Sequence, residues 1–541
     1  MPGINDVEIR PSNITGGGNG VFAKKAFAPG DAIFSLARPF IAELDHHRLE
    51  DTCAWCCSRA AIDPHERENS RKMGLPAGFI ELKACTGCKK IKYCSKACQS
   101  KAWKLEHKHE CKVLAVPTRP LLPHGVRATL KLLRRLQAGD PAVKEILRFD
   151  SKFDDVRKTD PQTYDDYSTL AYGAWKYADE PSKASLDVAR HLFFAVNCNA
   201  LTLSTPLDDV SLGIGFDPLI CTVNHSCDPN AFFLFNQPCT VLRASRAVAK
   251  GEEIFMRYRD ITNPFTVRQA ELKGSYYFDC TCSKCAKGAS SREDAFAQPI
   301  ENLSPEWCRR VDDLITKQDA SKSDLSMFQV GSNSSQAERR MAALQAEAFK
   351  PWHAMSTIKH EFHGSEPGTQ ISDLKAALHI CLESGMWSLT RQPVPHLLRA
   401  LFAAYTAAGD VERALHIGLK RHFVVKPVTA PQPFWYENLV DAWALTNVAT
   451  TYSNPRNQGD AERLARKGCD TRMLFLGLLM EVWENMPKAY GRESPFGGVV
   501  TRVWKTCVGD FEEPPQVLKD QVRAAWPKLR TYAEGIDVLR I

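Results

Sequence analysis

A chain of 541 residues, 44% apolar and 25% charged, has the composition of a globular protein of two to four domains. No stretch approaches the roughly 18 apolar residues that a membrane span requires; the run Met473 to Met480 is only eight long, so no membrane partner is expected. The formal net charge of +7 admits an acidic partner without demanding one. Met1 to Arg10 carries acids and no apolar core, so no secretory leader is expected. The 19 cysteines then read as metal ligands and buried side chains rather than disulfides. A monomer in the cytoplasm and/or nucleus is the expectation.

Residues 1–48 read as short strands and turns. Gly16 to Gly20 precede Val21-Phe22-Ala23, and Pro29-Gly30-Asp31 leads into Ala32-Ile33-Phe34-Ser35-Leu36. Glycines let backbone approach a ligand closely, but alone they serve equally as a flexible turn. Residues 49–112 carry Cys53-x-x-Cys56, Cys85-x-x-Cys88, Cys94-x-x-x-Cys98 and His107-x-x-x-Cys111. Four pairs of donors, each bracketing a turn, match two tetrahedral zinc sites. Cys57 and His109 are spare neighbours. From Glu81 to Lys112 there are nine lysines against three glutamates. An acidic-peptide or nucleic-acid patch is one reading; a solvated face balancing the thiolates is the better account.

Residues 113–198 are helical in period. Val126, Leu130, Leu133 and Leu136 share a face that ends at Gly139, and Leu186, Ala189, Phe193 and Val196 repeat the pattern. Within 199–262 lies Asn224-His225-Ser226-Cys227-Asp228-Pro229-Asn230, a polar turn between strand-like Leu219-Ile220-Cys221 and Ala231-Phe232-Phe233-Leu234. The turn Lys250-Gly251-Glu252-Glu253 and the run Ile254 to Tyr258 follow. Residues 263–288 contain Tyr276-Tyr277-Phe278-Asp279-Cys280-Thr281-Cys282-x-x-Cys285, one ligand short of a tetrahedral set. Gly288–Ser304 and Lys317–Gln336 read as linkers, and the rest of 289–541 as helices. Leu397 to Tyr405 and Ala414-Leu415 form one pair across Gly409-Asp410. Ala442–Tyr452 and Ala461–Met480 form another.

Asn224 to Asn230, together with Gly18-Asn19-Gly20, Pro29-Gly30-Asp31 and Gly251-Glu252-Glu253 before Tyr258, resembles the signatures of SET-domain lysine methyltransferases. The order of the cysteines and His107, with Gln99 and Trp103 between the last pairs, resembles the MYND zinc finger. Nearly the whole chain is similar to SET and MYND domain (SMYD-type) protein lysine methyltransferases, least specifically in its last third. The resemblance implies an α+β fold: a β-rich SET fold split by a MYND finger and a helical insert, followed by an all-α, TPR-like C-terminal domain. It implies S-adenosyl-L-methionine as cofactor, held by Gly18, Asn19, Gly20, Asn199, Asn224, His225, Tyr258 and Phe278, with Tyr258 also catalytic and Tyr276 and Tyr277 lining the lysine channel. Three zinc ions are implied, on Cys53, Cys56, Cys94 and Cys98; on Cys85, Cys88, His107 and Cys111; and on Cys227, Cys280, Cys282 and Cys285. The implied partners are a lysine of a histone or non-histone protein and a proline-rich peptide at the finger. Nucleic acid rests on the lysines alone. Two departures stand out: Gly17 sits where relatives often carry a basic residue, and a long insertion, Cys57 to Ala84, separates the first two cysteine pairs. The alternative is a catalytically weak scaffold that binds peptide partners in transcriptional regulation; the intact signatures argue against it.

Overall fold

Three of the four strands in the first 44 residues pair with strands beyond residue 200. The computed structural model describes residues 4–14, 18–60, 80–178, 185–205, 210–290, 293–294, 305–317, 335–357 and 367–541. In it β1 (Val7–Pro11) and β2 (Asn19–Ala23) join β12 (Glu253–Met256) and β9 (Asn224–His225) in the order β1-β2-β12-β9. A second sheet places β3 (Ala32–Leu36) beside the hairpin of β10 (Ala231–Asn236) and β11 (Cys239–Ala244). A third sets β4 (Ile41–Leu44) against β8 (Val210–Phe216) and β7 (Leu201–Thr205). Every sheet built from the N-terminal strands is therefore completed by the segment after residue 200. The finger and the helices between are an insertion into one α+β fold.

The chain divides into two compact units. The first comprises Met1–Arg257, Lys273–Asp279 and Tyr490–Val503; the second comprises Tyr258–Leu272, Cys280–Ala489 and Trp504–Ile541. The core of the first follows from its apolar runs. Phe22, Phe34, Phe193, Phe194, Phe216 and Phe232 are all buried, each contributing roughly 1.5–3 kcal/mol relative to exposure. The finger supplies β5 (Lys83–Ala84), β6 (Lys92–Tyr93) and helix α1 (Lys96–Leu105). The apolar stripe at 126, 130 and 133 lies in α2 (His124–Gln137), which is buried all round over residues 125–133, and Gly139 follows the helix in the left-handed region (φ +83°), where a residue without Cβ ends a helix at least cost. Helices α3 (Pro161–Tyr177) and α4 (Leu186–Asn199) pack on α2.

Two local readings change. Leu219-Ile220-Cys221 is not strand-like: Pro218–Cys221 is one helical turn, because Asp217 caps it (its carboxylate accepts the Leu219 N–H at 3.0 Å) and Pro218 suits the first helical position. Ala461–Met480 is two helices, Gln458–Arg466 and α8 (Thr471–Asn485). Gly468 turns the chain at φ +97°, and Asp470 restarts it by accepting the N–H groups of Arg472 and Met473.

The second unit is helical as expected. Helices α5 (Val394–Ala407) and α6 (Val411–Lys420) pack as neighbours, as do α7 (Tyr436–Thr450) and α8, and α8 packs on α9 (Gln516–Glu534). The rings of Trp483 and Trp504 stack 4.9 Å apart. Most of the Cys57–Ala84 insertion and of both linker stretches lies outside the described residues. No helix among the described residues is long and apolar enough to cross a membrane.

Candidate cofactor site and metal centres

The signature loop is held by its own polar side chains. Asn230 is fully buried; its Nδ2 donates to Glu253 O at 2.8 Å and to Glu252 Oε1 at 3.0 Å, while its Oδ1 accepts the Phe255 N–H at 2.7 Å. Those bonds fasten the end of the loop to β12. The start of the loop is β9, which runs parallel to β12 with Asn224 opposite Phe255 and His225 opposite Met256.

Glu253 is the point where the separate signatures meet. Its carboxylate, 4% exposed, accepts from Ser12 Oγ (2.7 Å), from Asn13 N (3.2 Å) and from Asn224 Nδ2 (3.0 Å). Asn224 Nδ2 also donates to Asn19 O at 3.1 Å. A Cβ on Gly20 would stand 2.2 Å from the same carboxylate oxygen, so any side chain there would push the Glu253 carboxylate out of this position. Gly18, at φ +61°, and Asn19 are exposed. Among the described residues nothing lies within 4 Å of where a Gly18 side chain would begin. The sequence reading did not single out Ser12, and it placed Glu253 only in the Gly251-Glu252-Glu253 turn, with no role at the site.

The other candidate residues differ in setting. His225 is buried, its Nε2 3.3 Å from Cys227 Sγ and its ring 6.1 Å from the half-buried Phe278. Asn199 ends α4 and donates its amide to Ala195 O at 2.9 Å, while its carbonyl accepts the Cys221 thiol at 3.2 Å. Tyr277 has left-handed backbone (φ 59°), and burial pushes its phenol above the ordinary range, so it stays neutral. Tyr258 follows β12 by two residues and is half-buried.

Three groups of four donors suit three zinc ions: Cys53, Cys56, Cys94 and Cys98; Cys85, Cys88, His107 and Cys111; Cys227, Cys280, Cys282 and Cys285. The finger groups interleave the pairs, and Cys57 and His109 belong to neither. Zn–S bonds of about 2.3 Å in a tetrahedron put sulfurs about 3.8 Å apart. Cys56 and Cys94 are separated by 3.6 Å, Cys94 and Cys98 by 3.5 Å, and Cys85 and Cys111 by 3.8 Å. His107 Nε2 lies 3.3 Å from Cys85 Sγ and 3.6 Å from Cys88 Sγ. The donors therefore fit zinc in number, type and spacing. Ser95 starts α1 by accepting the Cys98 N–H at 3.1 Å, which sets two ligands one helical turn apart. Gln269 braces Cys280, its amide exchanging two 2.8 Å hydrogen bonds with the Cys280 backbone.

The SET domain family matches residues 18–259. Relatives include the SET domain and MYND-type zinc finger protein 6 of Schizosaccharomyces pombe, 29% identical over 49% of this chain and 49% of its own. The human histone-lysine N-methyltransferase SMYD3 is 33% identical over 38% of this chain and 50% of its own, and the mouse N-lysine methyltransferase SMYD2 28% over 56% and 65%. Residues 18–259 thus match a SET domain, and the relatives are SET and MYND-type or SMYD proteins. The chain spans between about half and two thirds of the length of these curated relatives.

The finger is docked through buried charge that the sequence did not reveal. His107 Nδ1 contacts Glu110 at 2.9 Å, and Glu110 contacts Lys131 of α2 at 3.1 Å. Lys131 also reaches Glu43 of β4 at 2.5 Å, Glu43 pairs with Arg127 at 3.1 Å, and Arg38 pairs with Glu106. Burial alone would raise the Glu110 carboxyl, but Lys131 and His107 outweigh it and hold it down at about 2. Lys131→Ala would leave three buried carboxylates without their shared cation, and is expected to lower unfolding stability by about 3–5 kcal/mol. Urea denaturation of the zinc-replete protein checks this; a variant indistinguishable from the parent would contradict it.

Zinc analysis of the metal-replete protein is expected to return three ions per chain. Two or fewer would remove the assignment of Cys227 as fourth ligand.

Proposed function

We propose that this protein is an S-adenosyl-L-methionine-dependent protein lysine N-methyltransferase. The observation that carries the reading is the meeting of the Gly18–Gly20 turn, the Asn224-His225 strand and β12 at the Glu253 carboxylate, with exposed backbone at Gly18 and, among the described residues, open space beside it. When bound, the cofactor supplies an electrophilic methyl group on a sulfonium centre. Gly18, Asn19, Gly20, Asn224, His225 and Phe278 would hold it, with Asn199 and Tyr258 at its margins. The Tyr258 hydroxyl would orient the lysine amine, and Tyr276 and Tyr277 would line its approach.

A lysine with pKa near 10.4 must lose a proton first, at a cost of roughly 4.6 kcal/mol at pH 7. An apolar, aromatic channel lowers that cost by disfavouring the ammonium. Glu253 is no candidate for the base, since its oxygens are already engaged by Ser12, Asn13 and Asn224. Release of the proton to water is the route the arrangement supports.

The substrate class is a lysine of a histone or non-histone protein, met by a monomer in the cytoplasm and/or nucleus. The test is transfer of radiolabelled methyl from the cofactor to core histones or a cell extract, with the modified protein identified by mass spectrometry. Cofactor binding without transfer to any protein would overturn the enzymatic reading in favour of a peptide-binding scaffold.

A further inference from the structure

The charge balance of the finger changes once its side chains are placed. Of the three glutamates between residues 81 and 112, Glu106 and Glu110 are 4% and 2% exposed and are engaged by Arg38, Lys131 and His107. Glu81 lies 3.9 Å from Lys83, and Lys92 is paired with Glu50 at 2.5 Å. The seven remaining lysines make no ion pair among the described residues. A zinc held by four thiolates carries −2 and one held by three thiolates and an imidazole −1, so the metal centres offset at most three of the seven. Balance of the thiolates therefore does not account for this surface.

The excess is organised on α1. Lys96, Ser100 and Lys104 follow one another at intervals of four along its exposed face, with Lys101 beside them and Lys108 just beyond the helix. Trp103 and Leu105 flank the stripe, 47% and 57% exposed. Eight large apolar side chains are exposed among the described residues, and Trp103, Leu105 and Val116 fall within fourteen residues of one another. The Trp103 ring rests edge-on against His107, centroids 6.1 Å apart, so its position is set by the zinc site.

We propose that the outer face of α1 docks an acidic protein segment that carries an apolar anchor. Unpaired cations would draw the segment in, and Trp103 and Leu105 would receive its apolar side chain. A nucleic acid could meet the lysines and stack on Trp103, but offers nothing to Leu105. The peptide is therefore the occupant that uses the whole surface.

Fluorescence anisotropy on the full, zinc-replete chain tests this. The probe is a labelled 15-residue peptide of Asp and Glu with one Leu and one Phe. The comparators are the same peptide with Ser at both apolar positions, a neutral proline-rich peptide, and a single-stranded oligonucleotide. The Leu- and Phe-bearing peptide is expected to bind tightest. Lys101→Glu with Lys104→Glu should weaken it roughly tenfold, as opposite charges are replaced by like ones. Leu105→Ser should weaken it severalfold while leaving the salt dependence unchanged, and zinc content should be normal in both variants. Tighter binding of the oligonucleotide or the proline-rich peptide would overturn the proposal. So would equal binding of the Ser-substituted probe, no binding at all, or variants that bind as the parent does.

Discussion

Replacing Tyr258 by Phe is expected to reduce methyl transfer by at least about a hundredfold, the scale associated with lost positioning of the reacting groups. The change removes one oxygen and keeps the ring. The strand that precedes Tyr258 is held by independent bonds: Asn230 receives the Phe255 N–H, and β12 pairs with β2 on one side and β9 on the other. The fold, the zinc content and most of the cofactor affinity should therefore survive, as circular dichroism, elemental analysis and calorimetry would report. Turnover in single-turnover assays on a confirmed substrate is the decisive measurement. Near-normal rates in Tyr258→Phe would place catalysis on another group.

The three zinc sites are expected to fail in different ways. A structural zinc contributes on the order of 10 kcal/mol, comparable with the 5–15 kcal/mol stability of a whole domain. Cys111→Ser opens a site whose four ligands are all buried and whose His107 leads through Glu110 to Lys131 and Glu43. It should produce a largely unfolded first unit. Cys94→Ser opens a site with three half-buried ligands at the finger's outer side, and should keep the fold and most activity on a short peptide. Cys282→Ser should abolish that activity in folded protein, because its group includes Cys227 of the loop proposed to hold the cofactor. The comparison requires thermal melts, zinc content and peptide turnover on the same preparations. Equal loss of turnover in folded Cys94→Ser and Cys282→Ser would make the outer finger site part of the active-site wall.

Eleven of the twelve donors that the structure groups in fours were legible because cysteine spacing is local chemistry: C-x-x-C and C-x-x-x-C fix two donors within a turn whatever the surrounding fold, whereas Cys227 came only from the resemblance of its loop. The polar Asn224–Asn230 loop and the α2 stripe were legible for the same reason, since turn formers and a 3.6-residue period act over a few residues. The helical turn at Pro218–Cys221 was open to the same reasoning and was missed, because the Asp-Pro cap was outweighed by three apolar residues.

Other features depended on distance in sequence. Ser12, Gly20, Asn224 and Glu253 converge from positions up to 241 residues apart, and no window of the sequence shows that one carboxylate serves them all. Nothing local in the sequence marks Glu106, Glu110, Arg127 and Lys131 as buried, because isolated ions are costly to bury. Only tertiary packing brings them close enough to neutralise one another, and by turning the two glutamates inward it leaves the finger's lysines unbalanced outside. Cysteine pairs and turn formers act locally and so mark the finger donors and the signatures in any fold; which charges face the core depends on pairing between distant elements, which is what makes their burial tolerable.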